Sequence, residues 1–460
     1  MKPKEEIAEG LEPIDEVGAA GLVEAPKPKP TGVRLNIRGR SIYLRGLRLP
    51  PRGIWKWLLI LVPGLIATSA GNDAGGIATY SSAGAQYGYR LIWVMVLLTV
   101  SYAVVQEMCS RLGAATGRGL LDLVREKFGL GWTLFAVGII VIANGGVTIS
   151  EFVGVGAATE LIGVSKFISV PLAALVLWYL VIFGSYARVE KIFLLMTLVF
   201  FAYPAAAILA KPDWHEVLRG TVVPYVSLDR DYIFIVVGLL GTTMTPYIQV
   251  FQQSSIVERG ASRRRYGPER LDAYFGSIFS NLMSVSMIIA TAATLYVAGQ
   301  HDIESAADAA KALEPVAGSS AMILFAIGLL GASLLAGGVL PLATSYAISE
   351  AFGIPKGVNL DFRRGRVFFG LFTAFIVIGA AAALVPGVPI FPLLVGIQVL
   401  NGVLLPIILV FILLLINDER LMSGLKNSRT TNILGWVTFG LITAAVIVML
   451  GLQVYGLFSG

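Results

Sequence analysis

The chain of 460 residues is 56% hydrophobic and 14% charged, against roughly 25% charged residues in an ordinary soluble domain, and this balance excludes a soluble globular protein. One cysteine, Cys109, rules out an internal disulfide or a cysteine-based metal cluster within one chain, and the two histidines, His215 and His301, lie in polar connections and exclude a His-rich metal site. The net charge of +6 raises the question of a nucleic-acid partner, which the distribution of that charge answers below. Residues 1–52 are rich in Lys, Glu, Pro and Gly with too little apolar content for a core, so they are expected to form a disordered tail. They also set the first apolar run too far from the start for a cleavable signal peptide. Residues 53–460 are expected to form one transmembrane domain. Its apolar runs are each about long enough to cross a ~30 Å hydrocarbon core as a helix. Eleven are counted, at 54–88, 91–110, 132–162, 167–185, 190–210, 233–257, 272–298, 319–350, 367–386, 390–416 and 431–456.

Orientation follows from Lys and Arg, which cytoplasmic segments retain. Of the 35 such residues, 29 fall in the tail and in the connections after even-numbered spans, and 6 fall in the other set. The N-terminus is therefore expected in the cytoplasm and, with an odd span count, the C-terminus outside. The positive charge then faces the anionic inner leaflet, and no nucleic-acid partner is expected.

Two spans read as interrupted. In the first, LIATSAGNDAGGIATY places Gly71, Gly75 and Gly76 around a carboxylate, and the glycines disfavour an unbroken helix. In the sixth, LGTTMTPYIQVFQ contains Pro246, which removes a backbone donor and clashes with the preceding turn. Broken backbone at membrane depth is tolerated where protein or water satisfies the freed groups. Two breaks five helices apart are what an inverted five-plus-five repeat predicts, with substrate bound at the midplane between them.

Asp73, inside the first break, needs a cation partner or serves as a helix cap. Across from it Thr242, Thr245 and the carbonyls freed by Pro246 offer neutral oxygens, the kind of shell that hard cations prefer. Met244, one position from Thr245, would point about 100° away around a helix and is read as packing. Tyr247 either donates a phenolic hydrogen bond or packs. Glu151 in the third span either relays protons or lines an aqueous path, or is a neutral acid bonded to backbone. Glu107 and Arg111, four apart near the end of span two, suit an ion pair or a gate contact. Gln398 is an oxygen donor in an otherwise apolar span. No Walker sequence and no nucleophile–base pair is found, so an enzyme is not expected.

At this point the chain resembles the NRAMP family of divalent-metal transporters. DAGGIATYSSAGAQYGYRLIW (Asp73 to Trp93) is similar to the family's first-helix signature, whose motif is DPGN followed by the same AGAQ and GY spacing. QEMCSRLGAATGRGL (Gln106 to Leu120), ISEFVG (Ile149 to Gly154) and INDERLMSGLKN (Ile416 to Asn427) resemble the family's second-helix end, third helix and the loop before the eleventh helix. TMTPYIQ (Thr243 to Gln249) falls where the family has MPH. The resemblance covers residues 60 to 456. It implies an all-α integral membrane protein of LeuT-like fold, with 11 transmembrane helices, an inverted 5+5 repeat and broken helices 1 and 6.

The departures carry the substrate reading. Asp73 keeps the family's metal-binding Asp, but Gly76 replaces the Asn of DPGN and Ala74 its Pro. Thr245 stands where the family has its Met, a soft ligand, and Tyr247 where it has a His implicated in proton coupling. Thr148 falls at an acidic position of the third helix, Glu151 is retained, and Gln398 aligns with the tenth-helix Gln. Metal ligands are thus expected at Asp73, Gly76, Thr242, Thr245 and Gln398. Tyr247, Glu151, Thr148, Glu107 and Arg111 are expected to form a surrounding shell, proton path or gate, with breaks at Gly75 and Pro246. A roomier all-oxygen site suits Mg²⁺, which gives up its waters reluctantly, and this pattern resembles the prokaryotic NRAMP-related magnesium transporters. The expected protein is a monomer in the cell's inner membrane, without a cofactor, moving Mg²⁺ and also Mn²⁺ with little or no proton coupling. The competitors are a proton-coupled Mn²⁺ or Fe²⁺ transporter of the same family and an amino-acid transporter of the same superfold.

Overall fold

The computed structural model describes residues 32–37, 40–45, 72–183, 202–258, 260, 266–314, 318, 321–358, 360–387 and 389–459. The chain divides into two units, Met1–Trp57 and Leu58–Gly460. In the first, β1 (Gly32–Ile37) pairs antiparallel with β2 (Arg40–Arg45), Val33 opposite Leu44 and Leu35 opposite Ile42. The stretch expected from composition to be disordered thus contains a hairpin. Its GVRLNI segment alternates apolar and polar residues with the period of two that a strand requires. The remaining tail lies outside the described residues.

The second unit is helical. Its principal elements are α1 (Ala74–Tyr87), α2 (Ile92–Thr116), α3 (Leu130–Leu161), α4 (Lys166–Phe183), α5 (Arg230–Thr243), α6 (Pro246–Glu258), α7 (Tyr266–Thr291), α8 (Ala321–Phe352), α9 (Arg366–Ala383), α10 (Ile390–Ile416) and α11 (Arg429–Ser459). Among the described residues, 9 stretches are long and apolar enough to cross a membrane; α1 and α2 run on as one of them, Ala74–Thr116, and α5 and α6 as another, Arg230–Glu258. The first half of the expected first span and most of the fifth lie outside the described residues. Each of the other expected spans coincides with a helix, the sixth with the interrupted pair α5 and α6.

Both interruptions have a local cause. Asn72 and Asp73 are non-helical, and α1 starts at Ala74 with Asp73 as its N-cap, the side chain accepting from Gly76 N. Gly75 is therefore not at the break, contrary to expectation: it sits in the first turn of α1. A Cβ there would overlap Nε2 of Gln398 and come within 3.0 Å of its Cδ, so this glycine serves close approach of a neighbouring side chain rather than backbone freedom. At the other break α5 ends at Thr243, Met244 caps it at φ −124° and ψ 41°, and Pro246 opens α6. Proline suits a first helical position, where its missing N–H would have no partner anyway. The carbonyl four residues back is that of Thr242, and the Thr245 hydroxyl donates to it at 3.1 Å and to Gly241 O at 2.9 Å. Because Met244 is not helical, the 100° argument does not apply to it; it is buried in the apolar core.

Helix packing brings the two breaks together. A Cβ on Gly402 of α10 would lie 2.5 Å from Val237 O of α5, and one on Gly241 would lie 2.9 Å from Gly402 Cα. Small residues let the two backbones touch, as membrane helix interfaces favour. A Cβ on Gly154 of α3 would lie 2.6 Å from the Ala74 Cβ, so α3 meets the head of α1.

Candidate cation site at the two helix breaks

Asp73, Glu151, Thr242, Thr245, Tyr247 and Gln398 are all at most 1% exposed. Asp73 Oδ1 accepts from Gly76 N at 2.6 Å and from Gln398 Nε2 at 3.0 Å, and Oδ2 lies 3.2 Å from the same nitrogen. Gln398 projects from the first third of α10, and its Oε1 in turn accepts from Asn401 Nδ2 at 2.9 Å. Glu151 Oε2 accepts from Ala74 N at 3.2 Å, and Ser150 Oγ donates to its Oε1 at 3.3 Å. Two carboxylates thus converge on the N-terminus of α1, where the helix dipole favours negative charge. The C-terminus of α5 ends at the facing break, and a helix C-terminus favours a cation.

The neutral oxygens differ from a simple set of freed carbonyls. Thr242 O receives the Thr245 hydroxyl hydrogen, so the proton of that hydroxyl is committed to backbone and its lone pairs are what it offers elsewhere. Gly76 takes part through its amide, as a donor to Asp73. Tyr80 OH on α1 and Thr243 Oγ1 on α5 lie 3.1 Å apart and bridge the two interrupted helices. Among the described residues no three His, Cys, Asp or Glu side chains are grouped to enclose a metal ion. A cation here would be held by few charges and several neutral oxygens.

Thr148 is not brought to Asp73. Its hydroxyl donates to Asn144 O at 2.7 Å within α3, and its methyl faces α9, where a Cβ on Gly379 would lie 2.8 Å from it. Glu107 and Arg111 form a buried pair at 3.0 Å. Arg111 also donates to Leu425 O and Lys426 O, both at 3.0 Å, and to Asn427 Oδ1 at 2.5 Å, while Tyr266 OH donates to Glu107. The pair ties the end of α2 to the start of α7 and to the connection before α11, away from Asp73.

Two residues at the breaks escaped the sequence reading. Asn72 donates through Nδ2 to Ser280 O at 3.2 Å and Ser280 Oγ at 3.0 Å, and its Oδ1 accepts from Ser284 Oγ at 2.7 Å. These bonds anchor the non-helical residue before Asp73 to α7. Asn401 is the other. Each is an amide within three residues of a residue already singled out, and that adjacency was the available signal.

Residues 64–452 match the family described as natural resistance-associated macrophage protein-like, Nramp. The chain is 27% identical over 414 residues to the divalent metal cation transporter MntH of Yersinia pestis (strain Pestoides F), covering 87% of this chain and 95% of that one. It is 29% identical over 420 residues to the MntH of Ralstonia nicotianae, covering 86% and 91%. The crystal structure of the Eremococcus coleocola manganese transporter bound to an aromatic bis-isothiourea substituted compound has the same fold, with TM-score 0.69, 18% identity and coverage of 89% and 90%. MhsT in complex with L-phenylalanine is more distant, with TM-score 0.57, 16% identity and coverage of 85% and 97%. These neighbours identify the fold as LeuT-like. With the family match spanning most of its length, the chain belongs to the Nramp family of multi-pass membrane transporters and is not an enzyme.

Proposed function

We propose that this transporter moves a hard divalent cation, Mg²⁺ with Mn²⁺ also accepted, across the cytoplasmic membrane by alternating access and with little or no proton coupling. The observation that carries the reading is Thr245. At the α5–α6 break, where a thioether would favour softer metals, the side chain is a hydroxyl whose hydrogen is committed to Gly241 O and Thr242 O. Oxygen-only ligation removes the preference for transition metals. A single Asp with neutral oxygens suits an ion that keeps much of its hydration. Asp73 would provide the charge, Thr245, Gln398 and the Thr242 carbonyl neutral oxygens, and Gly76 the amide that fixes the carboxylate. The membrane potential would drive entry at about 2.3 kcal/mol per charge per 100 mV. The Lys and Arg distribution supports an N-terminus in the cytoplasm and a C-terminus outside, and the proposed working unit is a monomer.

The second reading is proton-coupled Mn²⁺ or Fe²⁺ transport. Two observations favour it: the relatives are named divalent metal cation and manganese transporters, and Glu151 sets a second carboxylate beside the Asp73 site. Competition separates the two. Excess Mg²⁺ outside proteoliposomes is expected to suppress Mn²⁺ influx; influx untouched by Mg²⁺ favours the second reading.

A further inference from the structure

Gln398 and Asn401 stand three residues apart on α10, a spacing at which helix side chains meet. Asn401 Nδ2 donates to Gln398 Oε1 at 2.9 Å, which turns the Gln398 oxygen away from Asp73 and its nitrogen toward both carboxylate oxygens. The backbone of Gly75 passes so close to the Gln398 amide that a Cβ there would overlap Nε2. Asn401 is fully buried, and its Oδ1 has no hydrogen-bond partner among the described residues. A bare buried amide oxygen is unfavourable and calls for an explanation.

The explanation rests on the cation reading above. A cation held by Asp73 repels an N–H, so Gln398 must offer it Oε1, which takes a half-turn of the terminal amide. After that half-turn Gln398 Nε2 faces Asn401, and two N–H groups oppose each other unless Asn401 turns as well. Its Oδ1 then accepts from Gln398, and its Nδ2 moves to the position that the bare oxygen held. The oxygen that is bare in one arrangement is the acceptor needed in the other. We infer that Asn401 is a positioning residue for Gln398, the two amides turning together between an arrangement that donates to Asp73 and one that presents oxygen to the ion. Without Asn401, the ion-holding arrangement leaves a Gln398 N–H orphaned, whereas the other keeps both bonds to Asp73 and loses one contact at an oxygen. An orphaned buried N–H is the more costly of the two.

The test is calorimetric titration of the purified full chain with Mg²⁺ and, separately, Mn²⁺, for wild type, Asn401→Leu, Gln398→Ala and the double variant. Asn401→Leu is expected to weaken binding on the order of tenfold in the wild-type background and to change it by less than about twofold once Gln398 is Ala, the mark of a coupled pair. An equal effect in both backgrounds, no effect, or tighter binding overturns the paired turn while leaving the cation reading standing. Wild type that binds neither ion overturns both. A measurement that needs no Asn401 variant covers the case in which that variant misfolds. In ion-induced infrared difference spectra with carbon-13 in the Asn side-chain carbonyls, a labelled band is expected to shift in wild type and stay still in Gln398→Ala. A silent Asn band in wild type overturns the inference.

Discussion

Glu151 on α3 accepts a hydrogen bond of 3.2 Å from the N–H of Ala74, the residue that follows Asp73, and so holds the head of α1 one residue on from the carboxylate that Gln398 bonds. The bond needs an acceptor oxygen, which a side-chain amide also offers. Glu151→Gln retains an acceptor and is expected to keep thermal stability close to wild type. Glu151→Ala leaves a buried N–H unpaired, at about 1–3 kcal/mol. Unfolding of the two variants in detergent checks the difference. Proton flux during uptake by Glu151→Gln then reports whether the acid has any role beyond this anchor.

Gly75 tests whether Gln398 must approach α1 closely. Gly75→Ala puts a methyl where Gln398 Nε2 now lies, and only the flexible amide end needs to move. Alanine also favours a helix over glycine by about 1 kcal/mol. The variant is therefore expected to fold with little loss of stability, yet to lose most cation uptake because the amide is pushed off Asp73. Uptake equal to wild type would show that Gln398 does not serve the ion from this position.

Asn72 holds the non-helical start of the break through three bonds to Ser280 and Ser284. Asn72→Ala is expected to destabilise the protein by about 1–3 kcal/mol. A melting temperature unchanged from wild type would show that α7 does not fix the break.

Outside the membrane, Asp308 lies in the connection before α8, where the Ser305 hydroxyl at 2.7 Å, with Lys311 and Gln300, each at 3.0 Å, hold its carboxyl down from 3.8 to about 2. The folded value lies below the unfolded one, so the stabilising contribution is complete above the ordinary carboxylate range. It is lost as pH falls from there through about 2. At neutral pH Asp308→Asn is expected to melt below wild type, and the gap is expected to close as the pH is lowered through that window. A gap independent of pH would assign the effect to lost packing.

Asp73 and Pro246 were legible because each violates the rule of its surroundings, a charge within an apolar run and a missing donor within a helix. Gln398 was legible for the same reason, as a polar side chain in an apolar span. What sequence could not supply was distance between helices. Gly75 looked like a breaker because its neighbour across the gap, the Gln398 amide, is 323 positions further along. Glu151 was read as a proton relay or as an acid bonded to backbone, and its bond to Ala74 supplies the backbone partner that the second reading requires, while Thr148 looked like a site residue until its hydroxyl was found bonded back to Asn144. Met244 was judged by a helical angle at a residue that is not helical. Asn401 and Asn72 were passed over because each stands beside a residue that drew the attention first, Gln398 and Asp73, and because their partners, the Gln398 amide oxygen and Ser280 with Ser284, are set by the folded structure.

The central claim is tested most directly in proteoliposomes loaded separately with magnesium-sensitive and pH-sensitive dyes. The account predicts that external Mg²⁺ raises the magnesium signal under an inside-negative potential, that Asp73→Ala abolishes this rise, and that the interior hardly acidifies. Entry of Mn²⁺ with stoichiometric acidification, while Mg²⁺ neither enters nor competes, would contradict it.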